Sequence, residues 1–181
     1  MGENKMKKLL LHVCCAPCST HVIEILKKLY NLTLFFYNPN VEPLNEYALR
    51  LEAAEKFAEE IDIPIIVGDY DSIEWHSAVK GHEHDEEGGE RCSICFRYRL
   101  EKAAQLAKEK GFDFFTTTLT VSPYKNASVI NQIGKELAEK YNVSFLESDF
   151  KKDNGYMHSI QLSREHGLYR QDYCGCLYSK K

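Results

Sequence analysis

Apolar residues recur along this chain in two alternating rhythms, short continuous runs and longer stretches spaced near 3.6. The run at 7–13 suits a buried parallel strand, and 20–30 carries Val22, Ile25, Leu26 and Leu29 at helical spacing. Residues 32–37 predict a second strand, stopped by the turn residues Asn38, Pro39 and Asn40. With Asn45 as N-cap, Leu49, Ala53, Phe57 and Ile61 predict a long amphipathic helix over 45–61, and 63–67 predicts a third strand. A short helix is expected at 73–79, a polar acidic loop at 82–90, and a helix at 92–110 stopped by Gly111. A strand at 112–118, a helix near 128–141 and a strand at 143–146 follow. The segment from about 149 onward predicts one helix near 160–166 and then an irregular tail.

Strands alternating with helices imply an α/β fold, with a mainly parallel five-stranded sheet covered by helices on both faces. Neither an internal repeat nor a linker interrupts the pattern, so residues 1–181 read as one domain whose irregular C-terminal segment contributes to the site. A hydrophobic fraction of 44% with 28% charged residues excludes wholesale disorder. The longest apolar runs, such as Leu9-Leu10-Leu11, fall far short of the roughly 20 residues a membrane span needs. The apolar stretch after the basic N-terminus is also too short for a secretory leader, so a cytoplasmic location away from membranes is expected.

That expectation changes the meaning of seven cysteines. In a reducing compartment they are not a disulfide framework, and they fall in three clusters: Cys14-Cys15-x-x-Cys18, Cys92-x-x-Cys95 and Cys174-x-Cys176. Structural zinc uses two CxxC pairs, and iron–sulfur clusters use thiolates from similar turns, so spacing alone leaves zinc, iron–sulfur and metal-free dithiol chemistry open. The thiols beyond four favour a redox site over a closed structural clasp. Cys174 and Cys176 either ligate metal or cycle between dithiol and disulfide.

Sites in open parallel sheets form outside the carboxyl ends of the strands. That rule gathers Cys14-Cys15-Ala16-Pro17-Cys18, Asn38-Pro39-Asn40, Asp69-Tyr70-Asp71, residues 118–123 and residues 148–152 on one rim. The first turn carries cysteines where a nucleotide-binding fold would carry glycines, and neither a GxGxxG nor a GxxxxGK[ST] is present, which disfavours a bound nucleotide. Asp69, Asp71 and Asp149 are candidate carboxylates for an iron site, against the ordinary use of loop aspartates in turns and caps. His82 and His84 read as solvated or locally bonded.

The stretches Leu11-His12-Val13-Cys14-Cys15-Ala16-Pro17-Cys18, Phe36-Tyr37-Asn38-Pro39-Asn40, Gly89-Glu90-Arg91-Cys92-Ser93-Ile94-Cys95-Phe96, 115–123 and 169–176 together resemble the QueH-type epoxyqueuosine reductases. The resemblance runs from about residue 8 to the end and includes every cysteine. It implies a Rossmann-like, adenine-nucleotide-hydrolase-like three-layer fold. It also implies the last step of queuosine biosynthesis, cobalamin-independent reduction of the epoxide of epoxyqueuosine in a tRNA anticodon to an alkene with loss of water. The implied cofactors are a [4Fe–4S] cluster and a mononuclear iron held by cysteines and an aspartate, served by an external electron donor.

On that basis Cys14, Cys15, Cys18, Cys92 and Cys95 are expected to divide between cluster and iron, with Asp71 the preferred carboxylate and Asp149 the reserve. Cys174, Cys176 and Asp71 are the expected catalytic residues. A tRNA requires local positive charge despite a net −4, and Lys125, Lys151, Lys152, Arg164 and Arg170, with Tyr124 and Asn126, are the candidate contacts. The rival classes are a thiol–disulfide oxidoreductase and a zinc-dependent tRNA-binding module.

Overall fold

The computed structural model describes residues 5–180. Five parallel strands, β1 (Lys8–Val13), β2 (Asn31–Phe36), β3 (Ile65–Val67), β4 (Phe114–Thr117) and β5 (Ser144–Phe145), form one sheet in the order β3-β2-β1-β4-β5. Six helices alternate with them: α1 (Ala16–Leu26), α2 (Leu44–Glu60), α3 (Ser72–Ala78), α4 (Glu90–Glu109), α5 (Ala127–Tyr141) and α6 (Gly155–Glu165). The chain therefore winds outward from β1 to β3, returns, and winds the other way through β4 and β5. The reversal leaves a crevice between the carboxyl ends of β1 and β4, where such folds bind their ligands.

Alternation along β1 separates two cores. Leu9, Leu11 and Val13 pack with Val22, Ile23 and Leu26 of α1 and Phe57 of α2, whereas Leu10 packs with Leu100, Ala103, Ala104 and Ala107 of α4 and Ile130 and Leu137 of α5. The alanines let α4 lie close on the sheet. Burial on both faces explains why Leu9 to Val13 is apolar at every position but the buried His12 rather than alternating.

Two helices begin earlier than their apolar periodicity predicts. α1 starts at Ala16 rather than near Thr20, because Pro17 suits a first helical turn and Ser19 and Thr20 donate to the carbonyls of Ala16 (2.7 Å) and Pro17 (2.9 Å). α6 starts at Gly155, its Ser159 and Ser163 hydroxyls donating in the same way to Tyr156 (2.6 Å) and Ile160 (2.8 Å). Asn45 is not a cap, since α2 begins at Leu44 after an extended Pro43. Among the described residues, no helix is long and apolar enough to cross a membrane.

Candidate metal centre

The early start of α1 builds the site. Cys14 ends the turn after β1, Cys15 is the extended N-cap, and Cys18 lies in the first turn, so the Sγ atoms of all three fall within 4.8 Å of one another. The thiols of Cys14 and Cys15 are 3.8 Å apart, at the electropositive end of the helix. Thr118, just past β4, brings its hydroxyl to Cys14 Sγ (3.5 Å) and accepts from the Cys14 backbone N–H (3.3 Å). Thus both strands of the crevice contribute. Hydrogen bonds from the Cys15 and Cys18 thiols hold Cys14 well below the usual thiol range, and that anion in turn pushes Cys15 up to about 12 and raises Cys18. Of the three thiols, Cys14 is thus the one the site favours as thiolate.

The platform beneath is a buried, neutral histidine. His12 is lowered to about 4, first by burial and then by Arg99. Its Nε2 faces the Tyr37 carbonyl (3.0 Å), which only accepts, so Nε2 carries the proton and Nδ1 accepts from the Thr117 hydroxyl (2.9 Å).

A cavity of about 500 Å³ opens on the triad, lined by Cys14, Cys18 and Cys174 with Arg99, Lys125 and Asp172 among others. Burial works against the charge of Lys125, but the facing sulfurs of Cys174, Cys14 and Cys18 hold it above the ordinary lysine range. Arg99 is buried without a carboxylate partner. Its Nη1 donates to Asn38 (3.2 Å), while Nε and Nη2 have no hydrogen-bond partner and its charge is supported by Cys95, Cys174 and Cys14. A smaller cleft beside the cavity is lined by Cys92, Cys174, Tyr124, Lys125 and Asn126. Burial raises both Cys92 and Cys95 above the usual thiol range.

The tail is held from a distance. Arg50, fully buried and paired with Glu46 (2.8 Å), donates to the carbonyls of Cys174 (2.9 Å) and Tyr173 (3.0 Å). The Glu42 N–H donates to the Gly175 carbonyl (2.9 Å), and Tyr169 donates to Glu46 (2.8 Å). Gly175 has φ +134, and a Cβ there would press on Val41 and Arg50, so only glycine lets the tail lie this close. Gln171 then donates to Cys15 Sγ (2.8 Å). Cys174 reaches the cavity, whereas Cys176 is buried against Trp75, Val79 and Cys95. All seven cysteines are free thiols.

The carboxylates fall differently. Asp71 accepts from Tyr37 (2.8 Å), lies 3.9 Å from Lys102 and does not line the cavity. Asp149 pairs with Lys151 (2.9 Å), and Asp172, overlooked in the sequence reading, lines the cavity. Of the expected tRNA contacts, Tyr124 and Lys125 reach the cavity, and Asn126 uses its Oδ1 to cap α5 at the Val129 N–H (3.2 Å). Lys152 and Arg170 are exposed, and Arg164 lies on a separate groove along α6. His82 is locally bonded, to Asp85 at 3.0 Å.

Fold and site together define a doubly wound, Rossmann-like α/β protein in which sulfur ligands occupy the turn usually given to phosphate, a donor set suited to a metal or an iron–sulfur cluster. The sequence model of the family described as Epoxyqueuosine reductase QueH matches residues 9–181, and the chain belongs to that family. It is 42% identical to the epoxyqueuosine reductase QueH of Streptococcus pyogenes serotype M1, over 99% of this chain and 72% of that protein. With the protein of the same name from Thermotoga maritima it shares 41% identity, over 96% of this chain and 91% of that one. Among solved structures, the U34-tRNA thiolase NcsA from Methanococcus maripaludis, with its [4Fe-4S] cluster, aligns with a TM-score of 0.63 at 17% identity, covering 98% of this chain and 63% of that one. A predicted subunit of tRNA methyltransferase from Methanocaldococcus jannaschii aligns at 0.56 and 22%, covering 87% and 76%. At these identities the likeness is one of fold.

Proposed function

We propose that this chain reduces epoxyqueuosine in the anticodon of a tRNA to queuosine, in the cytoplasm, converting the epoxide to an alkene with loss of its oxygen as water. The balance requires two electrons and two protons, the electrons coming from an external donor. The observation that carries this reading is the thiol triad Cys14, Cys15 and Cys18, gathered within 4.8 Å in a chain of the epoxyqueuosine reductase family.

The residues fit a [4Fe–4S] cluster with an adjacent iron. Three gathered sulfurs and the unpartnered N–H groups of buried Arg99 support an anionic sulfur-ligated group, with Cys92 on the adjoining cleft beside Cys174 and Cys95 one turn further along α4. Such groups supply electrons and a Lewis acid for the epoxide oxygen. Cys14, Cys15, Cys18, Cys92 and Cys95 divide between them. For the carboxylate, Asp172 joins Asp71 and Asp149 as a candidate, because it alone of the three lines the cavity.

The chain's own groups do the rest. Lys125 Nζ stays protonated and balances negative charge as electrons enter. Gln171 and Thr118 orient the sulfurs of Cys15 and Cys14. Cys174, at the cavity wall, and Cys176 either ligate metal or pass two electrons as a dithiol. Tyr124, 73% exposed at the mouth, offers a face on which an unpaired base stacks. Lys151, Lys152, Arg164 and Arg170 contact phosphates, and tRNA affinity falls as salt rises.

Anaerobic purification tests the reading directly. A brown protein containing iron and sulfide, converting epoxyqueuosine to queuosine in tRNA by nucleoside mass spectrometry, is expected. A colourless protein with one zinc and no conversion would overturn it. Asp172→Ala and Asp71→Ala should each keep the cluster absorbance, and the one that retains turnover is excluded from the iron site.

A further inference from the structure

A second group of metal-binding side chains lies outside the cysteine cavity. His21 and Glu24 are three residues apart on α1, and His158 projects from α6. One donor atom from each lies within 4.8 Å of the others. Two imidazoles meet nitrogen to nitrogen, His21 Nδ1 at 2.9 Å from His158 Nδ1, with the rings nearly perpendicular and centroids 5.1 Å apart. His158 Nε2 lies 3.7 Å from the Glu24 carboxylate. The reacting triad does not use any of these residues.

At Gly155, the first residue of α6, a Cβ would collide first with the Phe150 carbonyl oxygen and then come within 2.7 Å of His21 Nε2. Glycine there lets the helix end settle on the His21 ring, leaving its Nδ1 toward His158. The His158 and Glu24 side chains are 39% and 45% exposed, so an ion reaches them from solvent without the protein opening.

We propose that His21, Glu24 and His158 form a site for a divalent cation of the zinc type, clamping α6 to α1. Two imidazoles and one carboxylate are the donors such an ion selects over the harder calcium or magnesium. Tetrahedral zinc with bonds of 2.0–2.1 Å sets its ligand nitrogens about 3.3 Å apart, a spacing the two half-exposed rings reach by opening about 0.4 Å. The cation takes the place of the proton now shared between the two Nδ1 atoms, which moves to the Nε2 of the ring that held it. Water fills the fourth position.

Placement gives the ion a consequence. α1 begins at the cysteine triad, and α6 leads into the tail carrying Gln171, Asp172 and Cys174. A cation joining the two helices ties both halves of the cavity wall together. It does so without belonging to the iron–sulfur site.

The test uses the anaerobically prepared, iron-loaded protein and zinc ion as probe. One equivalent of zinc is expected to bind without loss of iron, to raise the unfolding temperature, and to show only nitrogen and oxygen neighbours in zinc-edge X-ray absorption. His158→Gln and Glu24→Gln, checked for native circular dichroism, should weaken zinc binding by about tenfold or more and leave iron content unchanged. A sulfur shell near 2.3 Å, unaltered affinity in both folded variants, or failure to take up zinc would each overturn the proposal.

Discussion

The two ends of the chain both deliver cysteines to one cavity, and they do so by opposite means. At the first strand-to-helix turn, three thiols converge because five consecutive residues turn from β1 into α1. At the C-terminus, Cys174 is held by side chains more than 120 positions away, chiefly Arg50 and Glu46. The first arrangement is local and follows from backbone geometry. The second exists only once the fold is complete. Under the proposed function, this difference separates holding a metal group from completing an active site.

The sharpest break of the comparison sets Cys18→Ser against Cys174→Ser. The first should remove most bound iron and sulfide, and the second should keep them while turnover falls to background. Equal loss of iron in both would make the tail part of the same ligand set. Next in size is Arg50→Met, which leaves the Glu46 carboxylate without its cation, with Tyr169 as its remaining donor, and removes the Arg50 donors from the Tyr173 and Cys174 carbonyls. A loss of about 3–5 kcal/mol is expected from denaturant unfolding, together with proteolytic cleavage in the tail before the sheet is cut.

Gln171→Leu removes a single hydrogen bond to Cys15 Sγ and should shift the cluster's reduction potential to more negative values with iron content preserved, because donors to cluster sulfurs stabilise the reduced state. An unchanged potential would detach Gln171 from the metal group. The smallest effect concerns pH. Burial opposes the charge of Glu46, yet Arg50 and Tyr169 hold its pKa below the ordinary glutamate value. Its contribution to stability is therefore complete above that ordinary value and fades as pH falls through the lowered one. Glu46→Gln should flatten the acid side of the stability profile in this window, as urea midpoints from pH 6 down to 3 would show.

How legible all this was from sequence follows the same division. The apolar run from Leu9 to Val13 and the alternation of strands with helices announced a doubly covered parallel sheet, and the spacing of Cys14, Cys15 and Cys18 announced a thiol cluster. The starts of α1 and α6 carry no apolar periodicity, holding instead Pro17, Gly155 and the serines Ser19 and Ser159, whose hydroxyls find a carbonyl one turn back. The tail clamp of Arg50 and the cavity lining of Arg99 were invisible because both arginines look like surface residues, and only tertiary contacts show them fully buried. Asp172 was passed over for aspartates nearer to strand ends, and its position depends on that same clamp.

His12 carries a mechanical consequence. One neutral ring spans three neighbouring strands, bonded to the Tyr37 carbonyl just past β2 and to Thr117 at the end of β4, while its own backbone lies in β1. A lateral pull on any one of these strand ends is shared by the other two. Under the proposed function, a polynucleotide pulling on the loops above would move the Cys14 turn, Tyr37 and Thr117 together and so preserve their mutual spacing.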